Sequence, residues 1–358
     1  MKKRILTLLA ALTLLLAGVL PLCSCSCRGE TDVHVFYYTY SDPYISSVRA
    51  ALDSKLSGAS LSYQDYDANG NQTTQTEQIR TAITKGARAL LVNVVNTGSD
   101  DAAKEIVALA KEANVPLLFF NREVSDEVIQ SYDRCAFVGT KAEEAGILQG
   151  EMIGEYLLEN YEKLDLNGDG VISYILFKGE EGNNEAIYRT KYSVEEANKK
   201  LASAGKPALR FYDAANPNGY LVDKNGLWSA GAATEYMTTA LTSHNKENNN
   251  MIELVICNND GMAEGAISAL QTAGYNKGGD STAIPVFGVD ATDAARNLIS
   301  KGQMAGTVRQ DADGMAAALL RLASNAMVEG KDLMSDTADL TTDESVRKVR
   351  IHYAKYLG

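Results

Sequence analysis

A ten-residue run, LDLNGDGVIS at positions 164–173, has the residue types of a metal-binding loop. Oxygen-bearing side chains occupy alternate positions and a glycine follows them: Asp165, Asn167, Asp169 and Gly170. This is how an EF-hand loop begins, with carboxylate and amide oxygens for Ca²⁺ and a glycine for the sharp turn. Such a loop ends in a bidentate glutamate at its twelfth position, which here is Leu176 in the apolar run VISYILF. The run alone therefore indicates either half of a calcium site or an Asx-rich surface turn.

Polar side chains also follow a series of short apolar segments along the chain. They are carboxylates, amides and a guanidinium, with two aromatic residues nearby: Asp42, Tyr44, Asn121, Asn183, Glu185, Arg189, Trp228, Asn259, Asp290 and Gln310. Any one Asn or Asp could simply cap a helix, and the tryptophan could be a core or lid residue. Their recurrence after so many segments exceeds what capping requires. Acceptors, amide donors and a guanidinium beside aromatic faces suit the hydroxyls and C–H patches of a neutral sugar.

The elements that must position these residues alternate regularly. Apolar runs of strand length are VHVFYY (33–38), ALLVNVV (89–95), VPLLFF (115–120), ISYILF (172–177), ELVIC (253–257) and IPVFGV (284–289). Segments with helical spacing lie between them, such as DDAAKEIVALAKEA and GMAEGAISALQTAG. The alternation predicts βαβ units and parallel sheets covered on both faces. Ligands of such sheets bind beyond the carboxyl ends of the strands, where the polar residues lie.

Composition narrows the class of protein further. The net charge of −12 argues against nucleic acid as a partner and against electrostatic adsorption to anionic lipid. Cys135 and Cys257 lie in apolar runs and are expected to be small core residues. The three histidines are far apart, which disfavours a His-ligated zinc enzyme. About 330 residues after export is enough for two domains, because single cores rarely exceed about 250–300 residues.

The first residues form an export signal. MKKR is a basic segment, and the apolar stretch ILTLLAALTLLLAGVLPL follows it. The stretch ends in a sequence that resembles a bacterial lipobox, with Leu22 and Ser24 before Cys25. We therefore expect residues 1–25 to be a lipoprotein signal, with Cys25 lipidated in preference to Cys23 or Cys27. An uncleaved anchor or an ordinary secretory signal remains open, and either would also place the chain outside the cytoplasmic membrane.

From residue 32 to the end, the chain resembles the bacterial galactose/glucose-binding receptor family. The resemblance is carried by YSDPY, VPLLFFNRE, VGTKAEEAGILQGE, LDLNGDG, KGEEGNNEAIYRT, NNDGMAEGAISAL and IPVFGVDA. It implies the class I periplasmic binding protein fold: two doubly wound parallel-sheet α/β lobes joined by a three-crossing hinge. The lobe boundaries expected from it are 32–138 plus 311–349 for the N-terminal lobe, and 140–309 plus 350–358 for the C-terminal lobe. One sugar would bind in the cleft between them.

The same resemblance implies the missing part of the calcium site. In that family the sixth ligand, a bidentate carboxylate, comes from a distant strand, and the matching residue here is Glu253. The full set implied is Asp165, Asn167, Asp169, the backbone carbonyl of Val171, Ser173 and Glu253. Leu176 is then free to be a core residue. We expect a structural Ca²⁺, with a water molecule beside the short Ser173 side chain.

The resemblance also implies a sugar-binding role for the polar residues that follow the strands, with four departures from the family pattern. Tyr44 replaces a phenylalanine, Asn183 a histidine, Glu185 an aspartate and Gln310 an asparagine. Glu185 and Gln310 carry the same functional groups as the residues they replace but are each one methylene longer, so they narrow the cleft. The resemblance therefore still implies an aldohexose ligand. It does not imply a preference among glucose, galactose and methyl galactoside, because residues of the site differ from the family pattern.

The sequence therefore predicts a monomeric, lipid-anchored binding protein of an ABC importer, with a monosaccharide ligand and permease subunits as partners. A sensor that presents its closed form to a chemoreceptor or a sensor kinase would use the same binding chemistry. A glycosidase would need paired carboxylates, for which Glu180, Glu181 and Glu185 are the candidates. The glycine-broken sequence around them and the lack of a hydrolase motif disfavour catalysis.

Overall fold

A computed structural model describes residues 31–358, in which strands and helices alternate as the sequence predicts. Residues 1–30, including Cys25 and the expected signal, lie outside the described part of the chain. The remaining residues build two sheets. Apolar strand residues are buried on both faces of each sheet, which explains why the strands read as continuous hydrophobic runs.

The first sheet has the strand order β12-β13-β5-β4-β3-β1-β2 and forms the N-terminal lobe. Its strands are β1 Val33–Tyr37, β2 Tyr63–Asp67, β3 Ala89–Val92, β4 Leu117–Phe120, β5 Cys135–Gly139, β12 Thr341–Asp343 and β13 Lys348–Arg350. They are parallel except at the β12–β13 pair. The helices of this lobe are α1 Pro43–Gly58, α2 Gln72–Thr84, α3 Asp101–Glu112, α4 Asp126–Gln130 and α10 Ala312–Ala326. The polar strand β2 was not predicted, because it is an edge strand with exposed and half-buried residues only.

The second sheet has the order β14-β11-β10-β9-β6-β7, with β8 also paired to β6, and forms the C-terminal lobe. Its strands are β6 Ser173–Lys178, β7 Arg210–Phe211, β8 Leu221–Val222, β9 Leu254–Cys257, β10 Val286–Asp290, β11 Gly306–Arg309 and β14 Ala354–Tyr356. Its helices are α5 Ala142–Leu164, α6 Asn184–Ser203, α7 Ala230–Leu241, α8 Asp260–Thr272 and α9 Asp293–Ser300. Only β14 runs antiparallel to its neighbour, β11, among the pairings of this described sheet.

The chain crosses between the two lobes at three places. It leaves β5 for α5 through residues 140–141, leaves β11 for α10 through residues 310–311, and leaves β13 for β14 through residues 351–353. Helix α10 belongs to the core of the first sheet, whereas α5 packs in the core of the second. The expected class I fold, with two parallel-sheet α/β lobes, is therefore confirmed.

Helices α5 and α6 of the C-terminal lobe pack unusually closely. Three glycines spaced by four residues, Gly146, Gly150 and Gly154, lie on the face of α5 that meets α6. A methyl group at Gly150 would lie 2.6 Å from the backbone oxygen of Tyr192. Backbone oxygens of a packed helix cannot turn aside, so the two helices would have to separate.

We therefore expect Gly150→Ala to destabilise the protein, although alanine is the better helix former by about 1 kcal/mol. Overpacking at a rigid contact costs about 1–3 kcal/mol, which outweighs that gain. Gly231→Ala in α7 is the matched control, because a methyl group there meets no atom within 4 Å. Denaturant unfolding should show a lower free energy of unfolding for Gly150→Ala and an unchanged or higher value for Gly231→Ala. Equal behaviour of the two variants would contradict the packing argument.

Candidate functional site

The ten side chains that follow the predicted strands all line one cavity between the lobes. It spans about 370 Å³, a figure that includes its opening to solvent. The lining residues are Tyr38, Asp42, Tyr44, Asn121, Arg122, Asn183, Glu185, Arg189, Trp228, Asn259, Asp290 and Gln310. Tyr38 and Arg122 are the two that sequence reasoning did not place in the site. Arg122 directly follows Asn121 in the sequence, and Tyr38 is hydrogen-bonded to Asp42.

The N-terminal lobe contributes residues at the ends of β1 and β4. Asp42 is the N-cap of α1, where one carboxylate oxygen accepts a hydrogen bond from the N–H of Ile45 at 3.0 Å. Its other oxygen accepts a hydrogen bond from the Tyr38 hydroxyl at 2.6 Å. Asn121 has a left-handed backbone, φ 61°, and its side-chain oxygen accepts a hydrogen bond from Asn93 at 3.2 Å. Capping and buried amide pairing therefore hold both side chains before any ligand arrives.

Two asparagines of the C-terminal lobe also serve as helix caps. The side-chain oxygen of Asn183 accepts from the N–H of Ala186 at the start of α6, and that of Asn259 accepts from Met262 at the start of α8. Capping uses the oxygen, and the amide nitrogen of Asn259 donates to the Trp228 carbonyl oxygen at 3.2 Å. The Asn183 nitrogen donates to the Thr97 hydroxyl of the other lobe at 3.1 Å. Capping and site formation are thus compatible roles for one side chain.

Arg189 on α6 is the buried cation of the site. Its guanidinium donates to the Asn258 carbonyl oxygen at 2.8 Å, to the Tyr353 hydroxyl at 2.9 Å and to the Gln310 side-chain oxygen at 3.2 Å. Burial alone would lower the pKa of Arg189, but Tyr353, Asp290 and Glu185 outweigh that effect and the pKa is raised. Arg189 therefore remains charged inside the protein.

Two buried carboxyl groups of the cavity, Glu185 and Asp290, interact electrostatically with this cation. Both carboxylate oxygens of Glu185 are buried and have no hydrogen-bond partner. Burial raises the pKa of Glu185 to about 7, although Arg189 opposes the shift. Burial likewise raises the pKa of Asp290 well above its usual range, again opposed by Arg189. Asp290 also has a strained backbone, with φ 125°.

Aromatic side chains complete the cavity wall. Trp228 and Tyr44 are 8% and 5% exposed, so each presents little more than one face to the cavity. The Trp228 ring packs against the backbone of Gly179, where a methyl group would lie 2.1 Å from a ring atom. A cavity with desolvated acceptors, amide donors, one guanidinium and flat apolar faces is suited to a neutral ligand that carries many hydroxyl groups.

Contacts between the lobes surround the cavity. Arg122 of the N-terminal lobe forms an ion pair with Glu180 of the C-terminal lobe, and its guanidinium lies 4.3 Å from the centre of the Tyr38 ring. Glu180 also accepts from the Trp228 ring nitrogen at 3.4 Å. Glu181 instead pairs with Lys178 and Tyr220. Neither glutamate has the partnerless, facing arrangement that a pair of catalytic carboxyls requires.

The predicted metal loop and its distant glutamate do come together in the structure. Glu253 is fully buried and accepts hydrogen bonds from the N–H groups of Asn167 at 2.9 Å and Ser173 at 2.8 Å. The Asp165 carboxylate accepts from the N–H groups of Asp169 and Gly170. Gly170 has φ 76°, as the sharp turn of such a loop requires.

Other ligands expected of that loop have protein partners. The Asn167 side chain exchanges two hydrogen bonds with the backbone of Met251, and Asp169 pairs with Arg210 at 2.5 Å. Within residues 31–358 there is no group of three or more His, Cys, Asp or Glu side chains arranged to hold a metal ion. The loop supplies the oxygen-only chemistry of a calcium site, but Asn167 and Asp169 would have to turn towards the ion.

The fold and the site together define a two-lobed binding protein that encloses its ligand between the lobes. Residues 33–332 match the family model described as a periplasmic binding protein domain. The chain belongs to the periplasmic binding protein family. It is a binding protein and not an enzyme, since its relatives are transport proteins.

Individual relatives agree with this assignment. The chain is 34% identical over 327 residues to the D-galactose/methyl-galactoside binding periplasmic protein MglB of Haemophilus influenzae, covering 90% of this chain and 89% of that protein. An ABC transporter solute binding protein from Bacillus halodurans with bound myo-inositol has a TM-score of 0.68 at 24% identity, covering 92% and 95% of the two chains. One from Clostridium phytofermentans with bound β-D-glucose has a TM-score of 0.70 at 20% identity, covering 90% and 93%. The two solved structures are similar in fold.

No helix within residues 31–358 is both long and apolar enough to cross a membrane. The expected lipid attachment at Cys25 falls outside the described residues and stays a prediction.

Because of Glu185, we predict that the ligand-free protein opens as the pH rises. When the lobes meet, burial raises its pKa to about 7, whereas an open, hydrated cleft returns it towards about 4.3. The closed form therefore binds the proton more tightly, so its population should rise as the pH falls from 8 through 7 towards 5. Small-angle X-ray scattering without ligand should show a smaller radius of gyration at pH 5.5 than at pH 8. Glu185→Gln, which is neutral throughout, should reduce this dependence, and an unchanged dependence in the variant would contradict the assignment.

Proposed function

We propose that the protein is the extracytoplasmic substrate-binding component of an ABC sugar importer and binds an aldohexose, glucose or galactose, between its lobes. The observation that carries this proposal is the buried Glu185 carboxyl without a hydrogen-bond partner, which lines one cavity together with Asp290 and the charged Arg189. Sugar hydroxyls donate to the carboxylates and accept from the guanidinium, so each of these buried groups gains a hydrogen-bond partner. Trp228 and Tyr44 cover the apolar faces of the ring.

The relatives support the choice of ligand class. The name of the Haemophilus protein specifies galactose and methyl galactoside, and the Clostridium structure holds β-D-glucose. The Bacillus structure holds myo-inositol, which is also a neutral six-membered ring with hydroxyls around it. The cavity of this chain fits that shared chemistry. The closed form of the lobes would be the species that permease subunits recognise, and a chemoreceptor or sensor kinase could use the same form.

Attachment to the membrane is part of the proposal. The lipobox-like sequence around Cys25 supports lipidation at that residue. Two acyl chains anchor a protein stably, while the acidic chain, with a net charge of −12, offers no electrostatic attraction to anionic lipid. The anchor would keep the binding protein close to its permease at the outer face of the membrane.

Calorimetry against a sugar panel tests the ligand. Glucose or galactose should bind at one site, and ribose should bind much more weakly because it leaves polar groups of the cavity unpaired. Arg189→Ala should weaken hexose binding by roughly 1.5–3 kcal/mol or more, since a buried charged donor is lost. The exposed Arg309 on β11 of the same lobe gives the matched control, and Arg309→Ala should leave affinity unchanged. If ribose binds best, or both arginine variants behave alike, the proposed function is wrong.

We also propose that the loop at residues 165–173 binds a structural Ca²⁺. The candidate ligands are Asp165, Asn167, Asp169, the carbonyl of Val171, Ser173 and Glu253. The juxtaposition of Glu253 with the N-terminal part of the loop supports the proposal. Without an ion, Asp165 and Glu253 accept hydrogen bonds from backbone N–H groups, and Asp169 pairs with Arg210. The ion would add positive charge among these three carboxylates. Its role would be to hold the loop to the strand that follows Glu253.

Thermal unfolding with and without a chelator tests the calcium proposal. A metal that binds only the folded protein stabilises it by mass action, so chelation should lower the melting temperature of the wild type. Asp165→Asn and Glu253→Gln should each reduce the response to chelator, while hexose binding is retained below the new transition. Glu247→Gln on the exposed surface should respond as the wild type does. A wild-type melting temperature that is the same in calcium and in chelator would show that the loop is a hydrogen-bonded turn.

A further inference from the structure

A second cavity lies beside the candidate site, between the same two lobes. It spans about 590 Å³, a figure that includes its opening to solvent, and we refer to it as the side chamber. Gln72 and Asn96 line it from the N-terminal lobe, and Asn225 and Leu227 line it from the C-terminal lobe. At Gly70, which also lines the chamber, the side chain of Leu227 approaches to 3.1 Å of where a methyl group would lie. The lobes therefore touch at the rim of the chamber, so the chamber is bounded by the same closed arrangement as the site.

The wall between the two cavities consists of side chains. Tyr38 and Arg122 line both cavities, and Glu180 lines the side chamber. Arg122 lies over the Tyr38 ring and pairs with Glu180 across the lobes. The Nε atom of Arg122 is buried and has no hydrogen-bond partner in the described protein. A buried donor without an acceptor is costly, so a ligand oxygen at this wall would be stabilising. A ligand that spans both cavities requires Arg122 and Glu180 to move apart.

The lining of the side chamber is chemically neutral. Asn96 and Asn225 are exposed residues of this lining. The Asn96 side-chain oxygen accepts a hydrogen bond from the N–H of Gly98 at 3.0 Å, which leaves its amide nitrogen and the Asn225 side-chain amide for solvent or a ligand. Leu227, which is 36% exposed, and the Tyr38 ring supply apolar surface. The charges of Arg122 and Glu180 offset each other, which leaves no excess positive charge for an anion. Amides beside an aromatic and an aliphatic side chain suit a second group of hydroxyls on a carbon framework.

We propose that the side chamber binds the second ring or polyol aglycone of a neutral glycoside whose first ring occupies the candidate site. This inference rests on the proposed function, because the first ring must be the hexose proposed there. The ligand class of the protein then extends from free hexoses to disaccharides and glycosyl polyols. Arg122 contacts both halves of such a ligand, because it forms part of the wall between the cavities.

Calorimetry with matched ligands tests the side chamber. Galactose, glucose and methyl β-galactoside serve as references that leave the chamber empty. Lactose, melibiose and maltose attach a second ring at different positions of the first, and glyceryl β-galactoside carries a short polyol. We expect at least one of these larger glycosides to bind as tightly as the best reference sugar. Asn225→Ala should weaken binding of that glycoside roughly fivefold and leave the reference sugars unchanged, as expected for one hydrogen bond. Asn218→Ala, at an exposed asparagine of the same lobe, is the control.

The outcomes separate this inference from the proposed function. If hexoses bind and every larger glycoside fails, the side chamber is not a subsite and the proposed function stands. If Asn225→Ala weakens references and glycosides equally, or leaves both unchanged, the chamber does not hold the second ring. If none of the sugars binds, the proposed function and the inference fall together. A crystal structure with the tightest glycoside should show its second ring between Asn225 and Tyr38, and a second ring in bulk solvent would overturn the proposal.

Discussion

The buried charge of Arg189 is the interaction on which the rest of the structure depends. A guanidinium taken out of water must be paired and hydrogen-bonded, or it destabilises the protein by several kcal/mol. The partners of Arg189 include Gln310 in the second crossing between the lobes and Tyr353 in the third. The Tyr353 hydroxyl also lies 2.9 Å from the hydroxyl of Thr140, in the first crossing. The second and third crossings therefore supply hydrogen-bond partners of the charge directly, and the first crossing is linked to it through Tyr353.

This arrangement links ligand binding to the positions of the lobes. Closing the cleft without a ligand buries the Glu185 oxygens with no donor and raises the pKa of the carboxyl to about 7. Ligand hydroxyls would supply the missing donors, so the ligand stabilises the closed form more than the open one. The Arg122–Glu180 pair and the Asn183–Thr97 hydrogen bond add contacts that exist only when the lobes meet. Binding and closure are in this sense one equilibrium.

The helix caps explain how a polar cleft is compatible with a stable fold. Asp42, Asn183 and Asn259 each use one oxygen to satisfy the first turn of a helix. The remaining polar atom of each is hydrogen-bonded, to the Tyr38 hydroxyl, the Thr97 hydroxyl and the Trp228 carbonyl oxygen respectively. A cap fixes the side-chain rotamer at the carboxyl end of a strand, where ligands of α/β sheets bind. These residues are therefore helix caps and lining residues of the cavity at the same time. The loop at residues 165–173 is similar, because its Asp165 side chain organises the turn through backbone N–H groups.

The sequence by itself determined the α/β class, most strands and ten of the twelve residues that line the cavity. Periodicity reveals buried parallel strands, and polar residues that follow such strands must meet at one edge of the sheet. The edge strand β2 escaped prediction because its residues are polar and half-buried. Tertiary structure decided which distant groups pair: Arg122 with Glu180 across the lobes, Tyr353 of the third crossing with Arg189, and Asp169 with Arg210 within the C-terminal lobe. Each of these pairs is remote in sequence. Helix caps and buried strands depend on patterns of a few neighbouring residues, which can be read from the sequence. Which two charged or polar groups pair over a long sequence distance depends on how separately formed elements pack together.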